Sequence, residues 1–278
     1  MKLSIITINL NCAEGLRRTI ESVISQTFED FEYIVIDGAS TDESVDVIKQ
    51  YADKIAYWIS EPDAGIYNAM NKGIKKANGE YCLFLNSGDW LINSDSLKNA
   101  FNIIMNSEEA EIYYGDCVNS EFGSWKMPKR LSIIDLYLQI APSHQNTIIK
   151  SSLFFDHEFY DENFPTVSDS IFFVKEFWLY QSRFIYIDTI ISVYSVGGIS
   201  SIYKYAQQEL HEQMKKIMGS LHFYLMILSI KKTKKIEKLQ GYHLKDFFRG
   251  VKKKIKQLLL KLHSKIIKRH KKEDNSLK

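Results

Sequence analysis

The chemistry in this chain rests on a few acids and amides whose spacing sets them apart. Leu83-Phe84-Leu85 is an apolar run followed at once by Asn86, Ser87, Gly88 and a single carboxylate, Asp89. A buried strand that delivers a lone acid to its carboxyl end places it where ligands bind in a parallel sheet. Asp37 ends another apolar run before Gly38-Ala39-Ser40. It can accept hydrogen bonds from a ribose or base, or it can fix a strand-end turn with Asp42 as a helix N-cap. In a third cluster, Glu61-Pro62-Asp63 precedes Gly65, Tyr67, Asn68, Asn71 and Lys72. There Asp63 and Gly65 can meet a nucleotide, Tyr67 can stack, and Asn71 with Lys72 can reach a phosphate; Lys72 reads equally well as a solvated lysine. His144 and Gln145 are candidates for binding a diphosphate, a metal or an acceptor. Asp169, following Ser168 as a prospective N-cap, reads by itself as a first-turn acid favoured by the helix dipole.

The elements that must position these groups alternate. Apolar runs at 3–8, 31–37, 55–60 and 81–85 read as strands, and helical spacing at 14–25, 42–52 and 66–77 separates them. Strand–helix alternation of this kind predicts an α/β fold, a mainly parallel sheet with helices on both faces. In such sheets ligands bind beyond the carboxyl ends of the strands, where Asn9, Asp37, Asp63, Asn86 and Asp89 all fall. Further strands are expected at 110–118, 146–150 and 184–196, and helices at 168–181 and 203–218. The apolar stretch 221–230 is too short to span a bilayer. Gly197-Gly198 reads as a turn or as a loop closing over a ligand.

Of the 278 residues, 45% are apolar and 25% charged, a globular balance. Cys12, Cys82 and Cys117 lack metal or disulfide spacing, and the opening residues show no leader segment, which points to a reducing, cytoplasmic setting. The net charge of +2 hides an asymmetry: residues 230–278 hold 18 Lys and Arg against four acids, a balance of +14, which leaves −12 on 1–229. Phe247, Phe248, Val251, Ile255, Leu258, Leu259, Leu262 and Ile266 recur every three or four residues among those lysines. A basic amphipathic helix of this kind fits an anionic membrane surface; with no stacking aromatic ring beyond histidine after Phe248, no nucleic-acid partner is expected.

The stretches 4–42 and 61–91, with "EPDAGIYNAMNKG" and "LFLNSGDW" among them, resemble the family 2 glycosyltransferases of GT-A fold that assemble bacterial polysaccharides. The resemblance is dense over 2–120, thinner through "SHQNTIIK", "SDSIFF" and "GGISS", and absent from the tail. It implies an inverting, non-processive transfer from a nucleotide sugar, usually UDP-linked, to a glycan or polyprenyl-linked acceptor, assisted by Mg²⁺ or Mn²⁺. Thr7, Asn9, Asp37 and Asp63 fall where the family grips uridine, and Asp169 where it keeps its base. Asn86 and Gly88 stand where a D-x-D pattern often has acids, so Asp89 alone remains as metal ligand, with Asn86 supplying a neutral hydrogen bond. Ile171 likewise replaces a frequent second acid. The expected organisation is a donor half in 1–120, an acceptor half of the same domain in 121–220 and a helical tail from 221, on an enzyme attached peripherally to the inner face of the plasma membrane. A nucleotidylyltransferase and a catalytically inactive sugar-nucleotide-binding module are the alternatives. The first lacks the Gly-rich basic loop it needs after the first strand.

Overall fold

The computed structural model describes residues 1–121, 123–140, 142–195 and 206–232. The chain divides into two compact units, Met1–Tyr224 and Leu225–Lys278, and the sheet lies in the first. Its opening half alternates as the hydrophobic pattern predicts: β1 (Leu3–Asn9), α1 (Ala13–Ile24), β2 (Phe31–Asp37), α2 (Ser44–Gln50), β3 (Tyr57–Ser60), α3 (Ile66–Ile74) and β4 (Tyr81–Phe84). These four strands are parallel, in the order β3-β2-β1-β4, so their carboxyl ends share one edge.

Alternate side chains of β1 serve opposite faces. Leu3 and Ile5 pack with Leu16, Ile20 and Val23 of α1 and Val47 and Ile48 of α2. On the other face Ile6 meets α3 at Gly73, close enough that a Cβ there would lie 2.4 Å from it. All seven residues of β1 are buried, as a strand covered on both faces requires.

The second half is mixed rather than parallel. It comprises β5 (Trp90–Leu91), α4 (Ser96–Met105), β6 (Ile112–Asn119), β7 (Gly123–Trp125), α5 (Ile133–Tyr137), β8 (Thr147–Lys150), α6 (Ser152–Asp156), α7 (Ser168–Lys175) and β9 (Phe184–Tyr194). Strand β8 lies antiparallel between β4 and β6, β9 runs parallel to β6, and β5 closes antiparallel on β9. An antiparallel strand beside β4 brings its amino-terminal end to the edge where β4 delivers its polar turn, which places His144 beside Asn86. An aromatic cluster of Phe84, Phe154, Tyr160 and Phe172 anchors α6 and α7 beneath this junction.

Helix α7 ends sooner than its apolar spacing predicts and continues as one wider turn, Glu176–Tyr180. Its N-cap is Val167, with no side-chain cap bond; Ser168 is the first helical residue rather than the cap. Beyond lie α8 (Ala206–Met218) and α9 (Ser220–Lys232); the boundary between the two units falls inside α9. No described helix is long and apolar enough to cross a membrane. The Gly197-Gly198 loop and the basic stretch from 233 lie outside the described residues.

Candidate active site

Two clusters form where the parallel strands end. The first lies at the ends of β1, β2 and β3. Asp37 is fully buried and accepts from Asn9 Nδ2 at 2.7 Å, Ser40 Oγ at 2.5 Å, Ser40 N at 2.9 Å and Ser60 Oγ at 2.6 Å. Burial pushes this carboxyl up, but the bonds from Ser40, Ser60 and Asn9 together outweigh it and hold the group below its usual range. Both oxygens are thus occupied, and Asp37 fixes the Gly38–Ser40 turn. Asp42 accepts from Ala13 N at 2.9 Å and Ser44 N at 3.0 Å, tying the first turns of α1 and α2 together. It acts on α2 from one residue before the cap position, Glu43. Asp63 accepts from Gly65 N at 2.9 Å through Oδ1. Its Oδ2 lies so close to Gly38 that a Cβ there would be 2.5 Å away, so a larger residue at 38 would displace the Asp63 carboxylate.

Four residues expected to face a donor are committed elsewhere. Thr7 is fully buried, donating to Leu85 O at 2.7 Å and accepting from Tyr33 OH at 2.9 Å. Asn71 donates to Tyr160 O at 2.8 Å and Glu162 Oε1 at 2.9 Å and accepts from Tyr160 N at 3.1 Å, so its amide brackets the 160–162 segment instead of reaching a phosphate. Lys72 bonds Pro62 O at 2.9 Å and Glu61 Oε1 at 2.8 Å, which holds the loop carrying Asp63. Tyr67 is likewise buried rather than free to stack on a base.

The second cluster joins the end of β4 to the acceptor half. The turn 86–89 closes with Asp89 N on Asn86 O at 2.9 Å and passes through Gly88 at φ +98°. An acid at position 88 would be strained in that conformation, a physical reason for the missing carboxylate. Thr19 of α1 clamps the turn, accepting from Gly88 N at 3.0 Å and donating to Asp89 O at 2.6 Å. Asp89 is 6% exposed and its side chain accepts from Ser195 N at 3.0 Å. Burial pushes its carboxyl up to about 6, against the opposing pull of Ser195 N–H, His144 and Gln145.

His144 Nε2 lies 3.0 Å from Asn86 Nδ2 and His144 Nδ1 lies 3.0 Å from Asp169 Oδ2, while Tyr67 OH donates to Asp169 Oδ1 at 2.8 Å. His144 thus bridges the Asp89 turn and Asp169, with one ring nitrogen within hydrogen-bond distance of each side. Burial pushes the Asp169 carboxyl up, and His144, Tyr67 and the Ser170 N–H overcome this and hold it below its usual range. Its side chain keeps 14% exposure. Two buried acceptors beside this chain of contacts, Asn86 Oδ1 and Gln145 Oε1, have no hydrogen-bond partner. Amide and carboxylate oxygens are the donor type that Mg²⁺ or Mn²⁺ prefers. Among the described residues no group of three His, Cys, Asp or Glu side chains can hold a metal by itself.

Residues 4–178 match the family described as Glycosyl transferase family 2. The chain belongs to this family. It is a glycosyltransferase by that membership and by its relatives. An uncharacterized glycosyltransferase of Mycobacterium tuberculosis is 33% identical over 178 residues, 62% of this chain and 68% of its own length. A glycosyltransferase of PGL/p-HBAD biosynthesis from Mycobacterium bovis is 36% identical over 118 residues, 41% of this chain and 46% of the relative. Among solved structures, S. aureus TarS 1–349 in complex with UDP-GlcNAc superposes with a TM-score of 0.65 at 21% identity, over 78% of this chain and 65% of that one. A mannosyltransferase from Pyrobaculum calidifontis in complex with GDP-Man and Mn²⁺ gives 0.55 at 15% identity, over 84% of this chain and 65% of that one. At these identities the structural likeness establishes the shared GT-A fold.

Within this family 2 glycosyltransferase, the sequence pattern singled out Asp37, Asp63, Asp89, His144 and Asp169. It missed Thr19, Ser195 and the bond from Tyr67 to Asp169. The spacing of Ser and Thr in a sequence carries no trace of partners some 70 to 100 residues away.

Proposed function

We propose that this enzyme transfers a sugar, with inversion and non-processively, from a nucleotide-sugar donor to a hydroxyl of a glycan or lipid-linked glycan in cell-surface polysaccharide or glycolipid synthesis. The observation that carries the reading is the unbroken chain of contacts from Asn86, in the Asp89 turn, through His144 to Asp169. In support of the reading, that chain of contacts links a carboxylate held below its usual range to the turn that carries Asp89.

Asp169 takes the proton of the acceptor hydroxyl as that oxygen bonds to the anomeric carbon, and the bond from that carbon to the diphosphate breaks. The electron pair leaves with the nucleoside diphosphate, and one displacement inverts the configuration. His144 and Tyr67 hold the carboxylate oriented towards the acceptor. Asp63, through the oxygen without a hydrogen-bond partner among the described residues, is the ligand for the nucleoside, with Gly65 beside it; Asn9 and Asp37 fix the floor beneath. UDP is the favoured nucleotide, as the relatives bound to UDP-sugar support. Mg²⁺ or Mn²⁺ would be held by Asp89 with the amide oxygens of Asn86 and Gln145, and when bound supplies positive charge to the departing diphosphate. The basic stretch 230–278 supports a peripheral attachment to anionic lipid on the cytoplasmic side.

The test is Asp169→Asn, assayed for transfer and, separately, for UDP binding by calorimetry with Mn²⁺. Transfer falls at least about a hundredfold while nucleotide affinity stays within about twofold. Turnover close to wild type removes Asp169 as the base.

A further inference from the structure

Several large apolar side chains of the first unit are exposed, and three segments distant in sequence gather five of them. Phe155, 57% exposed, lies at the end of α6 with its ring 5.3 Å from that of Phe159. Between the two, His157 stacks on Tyr180 at 3.8 Å. Tyr180 and Leu179, 36% and 50% exposed, sit in the wide turn that ends α7. Trp178 of the same turn meets His222 at 5.6 Å, and Leu221 and Tyr224, 66% and 42% exposed, share another face of the same opening turns of α9. Single exposed apolar residues need no explanation, but segments joined by ring contacts that each expose large apolar side chains do.

We propose that this surface, formed by Phe155, Leu179, Tyr180, Leu221 and Tyr224, docks the enzyme body on an anionic lipid bilayer. Tyr180, Trp178 and Tyr224 join an apolar ring to a polar tip, the composition that favours the headgroup boundary. Glu158, an acid close to this surface, is neutralised by Lys175, leaving Asp156 at the margin. The occupant follows from the chain beyond the surface. Helix α9 ends in Lys231-Lys232, and residues 230–278 carry 18 Lys and Arg against four acids. Apolar side chains leading into dense positive charge are matched by anionic lipid, where the former insert and the latter pair with headgroups. The contact is a property of the body and goes beyond attachment by the tail.

It also narrows the acceptor, given Asp169 as base. Asp169 lies in the first turn of α7 and Leu179 in the wide turn that ends it, ten residues on, or about 15 Å at the helical rise. A docked body holds the base at a fixed short reach from the headgroups. That suits an acceptor sugar linked to a membrane lipid better than a free polymer.

The experiment uses the full chain with vesicles of phosphatidylcholine and phosphatidylglycerol, against phosphatidylcholine alone. Leu179→Glu with Leu221→Glu, tail intact, weakens partition into the mixed vesicles about tenfold, with UDP affinity unchanged. Brominated lipid quenches the Trp178 emission, taken as wild type minus Trp178→Phe. Either an unchanged partition or an unquenched Trp178 overturns the proposal; shielding of Trp178 from both brominated lipid and aqueous iodide shows a protein segment covering the surface instead. The vesicle arms stand apart from the assignment of Asp169, which transfer assays test on their own.

Discussion

Burial alone would leave Asp169 reluctant to ionise; His144, Tyr67 and the Ser170 N–H reverse that, with His144 the strongest of the three. A buried carboxylate held by two side-chain donors is ionised throughout the neutral range and fixed in direction, the two properties a general base needs. His144→Ala removes the largest opposing influence and leaves burial in control, so the carboxyl rises towards and above its ordinary value. The acid limb of the kcat profile then moves to higher pH, and kcat near neutrality drops on the order of tenfold to a hundredfold with the donor KM little altered. A profile measured from pH 4 to pH 8 on both proteins decides it; an unmoved acid limb means His144 has no hold on the base. The chemical type of Asp169 and His144 was legible from the sequence, because each stands beside a short polar motif. The direction of their bonds was not, since Asp169 reaches His144 and Tyr67 across 25 and 102 residues.

Helix α3 shows how an element can look like a ligand face and serve another end. Asn68, Asn71 and Lys72 fall at helical offsets on a segment otherwise packed into the core, and polar residues so placed invite a phosphate. Their partners are instead Glu162, the Tyr160 backbone and the Pro62–Glu61 loop. Hydrogen bonds that pin an irregular segment are worth more than their count indicates, because removing one side leaves buried backbone groups unpaired. Asn71→Ala therefore lowers the unfolding free energy by about 2 kcal/mol in urea titrations, with UDP affinity unchanged. A stable variant that binds UDP more weakly would restore the phosphate role. The parallel half of the sheet was legible because β1, β2 and β4 are mostly buried, largely apolar runs that alternate with helices of regular period. Strand β5 has two residues and β7 three, too few for any period, and both exist through pairing with β9 and β6. The antiparallel placement of β8 beside β4 is a tertiary choice that no local pattern encodes, yet it brings His144 to Asn86.

For the molecule as a whole, the Asp89 turn is a place where stability is given up to hold a charge. The residue is 6% exposed and its carboxyl is raised to about 6, against an ordinary value of 3.8. The folded state thus binds this proton more tightly than the unfolded chain. The group's contribution to stability is complete below about 3.8 and is lost as pH rises through about 6. A carboxyl raised this far costs the folded state about 3 kcal/mol at pH 7 in the absence of a cation. Asp37 and Asp169 move the opposite way, so the titration of the wild type alone mixes all three carboxyls; the comparison with Asp89→Asn isolates this one. Without metal or nucleotide, Asp89→Asn gains thermal stability over wild type between pH 5 and pH 7.5, at about 2–4 °C per kcal/mol for a chain of this size. Adding Mn²⁺ with UDP reverses the order, since the cation compensates the buried carboxylate only in the wild type. Melting curves of both proteins at several pH values, with and without Mn²⁺–UDP, read this directly. A pH-independent difference between them would show that Asp89 is not held uncompensated, and a wild type unmoved by Mn²⁺–UDP would remove the turn as the cation site.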